Sequence, residues 1–336
     1  MTSETIKETE PVKKASVWRG WLLTIGVGLL AIMLATHGAG AVRELVAQVG
    51  WQALLVIAAH LPVTFLATVG WQVLLPPDRR PSLSFLFRVR FIKEAVNALL
   101  PVAQVGGDVV RAKLSVRNGL TLAEATASCI VDVLAGTVGL VLFVLTSLIV
   151  AMVTLHDPRL AQAGLALVGI VAAIVACAYL AHKAGLGRRL GQASQRWTAL
   201  AGRVGELGEA FRVIGRQRSN LFASWAWHMV AWIAGAFETY VSMWALGLNP
   251  TPLQALIVEG LAQTAKVVGF AIPGALGVQE GGYLLLGGAL GLTPDQALAL
   301  SLLRRLRELV LGGIGLVMWR MTKPETVTSS TEPANA

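Results

Sequence analysis

The sequence predicts an all-α integral membrane protein with six transmembrane helices and two re-entrant broken-helix hairpins. These fall into two inverted repeats, three helices plus a hairpin each, around a pseudo-two-fold. Three observations predict it. Of 336 residues, 55% are hydrophobic and only 14% charged, against about 45–50% and 25% in soluble domains; mean hydropathy is +0.65. The apolar residues come in runs of about 18 or more, long enough for a helix to cross roughly 30 Å of hydrocarbon. Finally, the chain matches itself across two segments broken by glycine and proline. Alternating segments of about ten residues, the mark of a membrane β-barrel, are absent from the sequence.

Residues 1–18 are polar, mixed in charge, and read as a disordered cytoplasmic tail. Lys13, Lys14 and Arg19 precede an apolar run from Gly20 to Thr36, the first span. A signal peptide is the rival reading, because Ala39-Gly40-Ala41 resembles a cleavage site. The retained helix is preferred because the repeat requires it. The second span runs from Trp51 to Leu75, with Pro62 placed to kink it, and a basic loop follows from Pro76 to Pro81. The first hairpin covers residues 84–118. Its first arm carries Arg88, Arg90, Lys93 and Glu94 and ends at Leu99-Leu100-Pro101. After a break holding Gly106, Gly107 and Asp108, a short basic helix runs through Arg111, Lys113 and Arg117.

The third span, Leu122 to Leu155, carries Asp132 in its interior, and closes a first repeat over 19–156. The second repeat occupies 157–321. His156-Asp157-Pro158 makes the turn into a fourth span, Gln162 to His182, and residues 183–218 form a basic cytoplasmic segment. A tryptophan-rich fifth span, Leu221 to Leu246, leads to the second hairpin over 253–290. That hairpin breaks at Pro273-Gly274-Ala275-Leu276-Gly277 and resumes at Gly281. The last span is Gln296 to Trp319, and 322–336 is a second disordered cytoplasmic tail.

The formal charge is +9. Its lysines and arginines concentrate in the loops after spans two and four, while the loops near Arg43, Arg159 and Asn249 are nearly bare. That asymmetry places both termini of a multi-pass membrane protein in the cytoplasm. It also explains the charge without nucleic acid, which is not an expected partner. Cys129 and Cys177 lie in apolar segments without a C-x-x-C or a histidine at ligand spacing, so no disulfide, metal or cofactor is indicated.

The self-match runs gapless from Leu99-Leu100-Pro101 through Gly119-Leu120-Thr121, onto Ala271-Ile272-Pro273 through Gly291-Leu292-Thr293. The offset is 273 − 101 = 172, and Asp108 falls on Glu280. Three crossings separate the copies, so they are inverted, as in many secondary transporters built on broken helices. Half-helices starting after Pro101 and Pro273 would aim backbone N–H groups at mid-membrane, a place for an anionic oxygen. Asp108 and Glu280 beside those ends either carry a coupling proton or cap the half-helices.

Ionisable groups near the bilayer centre cost about 2.5–3.5 kcal/mol on insertion scales, so each is a functional candidate. Here they are Glu94, Asp132, Glu259, Lys266, Glu280, Arg304, Arg305, Arg307 and Glu308. Internal ion pairing is the plainer reading of any one of them. Arg304, Arg305 and Arg307 beside Glu308 leave a surplus of positive charge, which favours a phosphate-like head group held with Arg111 and Lys266. In the repeat frame Asp132 falls on Arg304 and Glu94 on Lys266 (each + 172), so these opposite charges are expected to pair or exchange partners near the axis. His60 and His228 read as packed residues, and Trp18, Trp21, Trp51, Trp71, Trp244 and Trp319 as an interfacial belt. No P-loop, G-x-S-x-G or H-E-x-x-H motif occurs, so no enzyme activity is expected.

Two stretches carry a resemblance. Asn97-Ala98-Leu99-Leu100-Pro101 with Gly106-Gly107-Asp108 and Arg111 resembles the first signature of the lysylphosphatidylglycerol synthase transmembrane-domain family, also called flippase-like. Ile272-Pro273-Gly274-Ala275-Leu276-Gly277-Val278-Gln279-Glu280-Gly281-Gly282 resembles its second signature. With Ser301-Leu302-Leu303-Arg304-Arg305-Leu306-Arg307-Glu308-Leu309 following, the chain is most similar to the hopanoid-biosynthesis-associated branch. The resemblance implies a lipid flippase-like transporter of the bacterial inner membrane, with a hopanoid or its sugar-bearing derivative as cargo. The arginines point instead to an anionic lipid such as a polyprenyl phosphate. Larger relatives append an aminoacyl-transferase domain with no counterpart in this sequence, so lipid aminoacylation is not expected. The alternative is a non-catalytic membrane subunit that presents lipid to a separate glycosyltransferase or lipid-modifying enzyme at the cytoplasmic face, docked through residues 183–218. An ion-coupled carrier of a small solute is a third reading.

Overall fold

The computed structural model describes residues 44, 47–100, 106–155, 198–268, 283, 288 and 290–322, which are helical apart from short connections. Eight α-helices carry the fold: α1 (Gln52–Gln72), α2 (Leu83–Leu99), α3 (Gly106–Val116), α4 (Leu122–Leu155), α5 (Thr198–Arg216), α6 (Arg218–Ala245), α7 (Pro252–Val268) and α8 (Pro294–Met321). The expected first and fourth spans, both terminal tails, Cys177, and the break residues Pro101, Pro273, Gly274, Gly277, Glu280 and Gly281 lie outside the described residues.

Local chemistry sets the helix ends. Ser82 Oγ accepts from the Phe85 N–H at the start of α2, and the helix stops at Leu100, whose extended backbone (φ −115°, ψ 143°) is what a following proline demands. The starts of α4 and α8 are built alike, 172 residues apart (294 − 122). Each is preceded by a glycine with positive φ, Gly119 at +96° and Gly291 at +76°, a conformation that strains any residue with a Cβ. Each then has a threonine cap. Thr121 Oγ1 accepts from the Glu124 N–H while Glu124 receives the Thr121 N–H. Thr293 and Gln296 make the same reciprocal pair.

Among the described helices, α1 and α4 are long and apolar enough to cross a membrane. On α4 the large apolar residues Ile130, Leu134, Val138, Leu142, Ile149 and Val153 are exposed, at spacings of four or seven, with Val133 beside them. The opposite face buries small residues such as Ala125, Ser128, Ser147 and Ala151. That is an inside-out arrangement in water and the expected one in lipid, where small residues let helices approach. Pro62 sits within α1 without ending it, as spanning helices tolerate.

Packing couples the two ends of the chain. α1 lies along α6, α2 along α8 and α7 along α4; α1 also meets α2, and α6 meets α7. Exchanging α1 with α6, α2 with α7 and α4 with α8 turns this set of neighbours into itself. Two apolar clusters follow the same correspondence. One holds Trp71, Leu86 and Ala125, and the other holds Met243, Val258 and Ala297, each 172 residues later. Cys129 is buried in the first, a small apolar filler as expected. The buried charged side chains lie on α2, α3, α4, α6, α7 and α8.

Candidate functional site

One group of charges centres on Asp132, about three turns into α4 and fully buried. Arg111 Nη1 donates to its Oδ2 at 2.5 Å, both Nη atoms of Arg90 donate to the same oxygen at 3.2 Å, and His228 Nε2 lies 2.8 Å from Oδ1. Arg111 is itself fully buried. It donates to the Cys129 carbonyl at 3.1 Å, meets Asp108 at 2.7 Å, and stacks on Trp71 with its guanidinium carbon 4.6 Å from the ring centroid. Asp108, in the first turn of α3, also meets Lys93 at 3.5 Å. Gly107 stands where α3 touches α2: its N–H donates to Asn97 Oδ1, and a Cβ there would strike Asn97 and the Lys93 carbonyl.

The second group lines a cavity of about 510 Å³ between α1, α2, α4, α6, α7 and α8. Glu259 is buried in α7 and saturated with donors. Arg304 reaches it through Nη1 at 2.7 Å and Nη2 at 3.1 Å, Thr239 at 2.6 Å and Gln263 at 2.5 Å. Glu238 pairs with Arg307 and with His60 Nδ1 at 2.8 Å. Glu308 gathers Lys266 at 3.5 Å, Arg305 at 3.4 Å and Arg307 at 3.5 Å. Glu94 accepts from Thr64 Oγ1 at 2.7 Å and lies 3.7 Å from Arg90 Nε, which joins the cavity to the Asp132 group.

These positions bring Glu94, Lys266, Arg304, Arg305, Arg307 and Glu308 to one cavity, and Asp108, Arg111 and Asp132 to the group beside it. Two expectations change. Asp132 and Arg304 do not pair in this state, nor do Glu94 and Lys266. Asp132 takes its partners from α2, α3 and α6, Arg304 takes Glu259 from α7, and Lys266 takes Glu308. The surplus of positive charge around the arginines also shrinks. Lys93, Lys266, Arg304, Arg305 and Arg307 face Glu94, Glu238, Glu259 and Glu308 across the cavity, five cations to four carboxylates.

Sequence reasoning passed over Glu238 and assigned His60 and His228 to packing. Glu238 carried the signal that singled out Asp132, an acid deep in an apolar span. For the histidines no spacing rule could help, because their carboxylate partners are 178 and 96 residues away.

A family model described as the lysylphosphatidylglycerol synthase TM region matches residues 21–315. A UPF0104 membrane protein of Pyrococcus horikoshii is 25% identical over 324 residues, covering 87% of this chain and 95% of that protein. No solved structure matches the chain.

Proposed function

The chain belongs to the lysylphosphatidylglycerol synthase transmembrane-region family, a family of membrane domains, and from that premise we propose that it translocates a lipid by alternating access around the central cavity. The observation that carries the proposal is the cavity itself: about 510 Å³, lined by charged side chains from both ends of the sequence, inside a bundle whose outer faces are apolar. A lipid demands that combination, a polar enclosure for the head group and a hydrocarbon setting for the tails.

In this reading the chain is two inverted copies, 19–156 and 157–321, each with a re-entrant hairpin, and both termini are cytoplasmic. Support comes from the matching caps of α4 and α8, the exchange symmetry of the helix neighbours, and one contact that recurs at the same offset. Arg111 bonds Asp132, and 172 residues later Tyr283 OH accepts from Arg304. The sides of the cavity then belong to different copies, and rocking one against the other exposes it alternately. Arg304, Arg305, Arg307 and Lys266 would hold the head group, with carboxylates releasing them as it enters. No covalent step is needed, and the protein acts without enzymatic chemistry or a cofactor.

The test is a flip assay in liposomes holding the full chain, with labelled phospholipid, polyprenyl phosphate and hopanoid in parallel. Accelerated movement of one class, lost in Arg304→Ala, names the cargo. Folded protein that moves none of the three removes the proposal.

A second reading, a membrane subunit that presents lipid to a separate enzyme, has one observation in its favour. A second cavity of about 630 Å³ lies where α5, within the basic segment, meets the α1–α2 loop and the start of α4. Its rim carries Asp78, Glu124, Glu206 and Glu209 together with Arg79, which pairs with Asp78 and Glu124, while Arg212 pairs with Glu209; the remaining acidic excess suits a basic partner.

A further inference from the structure

His60 is the one cavity residue of α1 that meets charged groups from three other helices. Its Nδ1 lies 2.8 Å from Glu238 Oε2 on α6 and 3.3 Å from Arg307 Nη1 on α8. Its Nε2 faces Glu94 Oε2 on α2 at 3.8 Å. Arg304, also on α8, acts on it electrostatically from further away. Glu238 and Arg307 are themselves paired.

Nδ1 cannot satisfy both neighbours. Carrying a proton, it donates to Glu238 and turns an N–H toward the Arg307 N–H groups. Lacking one, it accepts from Arg307 and sets its lone pair against a carboxylate. The two ring nitrogens also differ in what they favour. Carboxylates stand at both, Glu238 at Nδ1 and Glu94 at Nε2, and suit the doubly protonated ring. The guanidinium at Nδ1 suits the singly protonated one. Gain or loss of the Nδ1 proton therefore decides whether α1 is tied to α6 or to α8, while the Nε2 proton faces Glu94 on α2 in both states.

We propose that His60, bridged between Glu94 and Glu238 and opposed by Arg307, is a proton-binding site that sets the relation of α1 to α6 and α8. The group lines the cavity, so the proton comes from cavity water, adds to an imidazole nitrogen and changes no other bond. The proton drives or gates the opening of the cavity, with a population shift equal to the difference in proton affinity between the two arrangements. The coupling rests on the reading of the cavity as a transport site; the protonation of His60 does not.

The experiment follows the histidine ring resonances of the full chain, labelled on histidine and held in nanodiscs, from about pH 4 to 9. His60→Gln assigns the signal. The expected result is a titrating His60 ring, with proton binding about tenfold weaker in Glu238→Gln and about tenfold stronger in Arg307→Gln. Glu94→Gln, expected to act in the same direction as Glu238→Gln, replaces it if that variant does not fold. A ring fixed in one protonation state over this range overturns the site, as does an equal shift of the same sign in the Glu238 and Arg307 variants. A second arm reads the flip rate of labelled phosphatidylglycerol under an imposed pH gradient, expected to change about tenfold with its sign. Flipping that ignores the gradient while His60 titrates overturns the coupling and leaves the transport reading standing. Titration without any flipping, for any lipid, overturns the transport reading and the coupling with it, and leaves the proton-binding site standing.

Discussion

Arg111 and Asp132 stand 21 residues apart, one in the middle of α3 and the other about three turns into α4, and bond at 2.5 Å. Tyr283 and Arg304 are also 21 apart and bond at 3.1 Å. Adding 172 to both members of the first pair gives the second. The contact is therefore kept while its chemistry is divided. Where the first pair joins cation to anion directly, the second gives the cation a phenol and lets Glu259 supply the charge.

Asp132 holds two buried guanidinium groups at once, so its loss strands both. Asp132→Ala is expected to cost about 3–5 kcal/mol, the range for removing one partner of a buried pair. Asp132→Asn should cost less, since its carbonyl still accepts from Arg111. Thermal unfolding in detergent reads both. An Asp132→Ala protein as stable as the parent would show that these arginines find other partners.

Coupling energies separate true partners from symmetry-equivalent positions. Glu259→Gln and Arg304→Gln are expected to be strongly non-additive, by roughly 0.5–3 kcal/mol, because each removes the same bidentate contact. Asp132→Asn with Arg304→Gln should add within about 0.5 kcal/mol, since no partner is shared. A large coupling in the second cycle would restore the direct pairing that the repeat frame alone predicts.

That frame shows how far the sequence could be read. It contains α1 and α4, the described helices long and apolar enough to cross a membrane, the matched starts of α4 and α8, and nine charged candidates, all but Glu280 of which fall in the described structure. It failed on partnership. Positions related by a two-fold meet only where they lie close to its axis. The helices that pack along each other are α1 and α6, whereas Asp132 and Arg304 sit on α4 and α8. Glu238 and His60 meet only once α6 and α1 are side by side, and His228 meets Asp132 only once α6 lies against α4. No local spacing encodes that.

The two threonine caps test whether the starts of α4 and α8 are energetically alike. Thr121→Ala and Thr293→Ala each remove one acceptor of a capping box and should each cost about 1 kcal/mol. Paired melting curves on the two variants check this. A loss at Thr121 alone would show that the start of α8 is held by something other than its cap.

The seam between α2 and α8 gives the most local prediction. A Cβ at Gly315 would stand 2.5 Å from Ala95 Cβ and 3.0 Å from the Phe91 carbonyl oxygen, with nothing flexible to yield. Two residues earlier, a Cβ at Gly313 would meet nothing within 4 Å. Both glycines are inside the same helix, so replacing either with alanine gains the same helix propensity, about 1 kcal/mol. The difference between the variants then isolates packing. Gly315→Ala must push α8 off α2, an overpacking cost of about 1–3 kcal/mol. Gly313→Ala should leave stability unchanged or raise it. Since α8 carries Arg304, Arg305, Arg307 and Glu308, the shift should also reach the cavity and slow lipid movement in Gly315→Ala only. Equal melting temperatures for the two variants would mean that α2 and α8 are not in close contact at this seam.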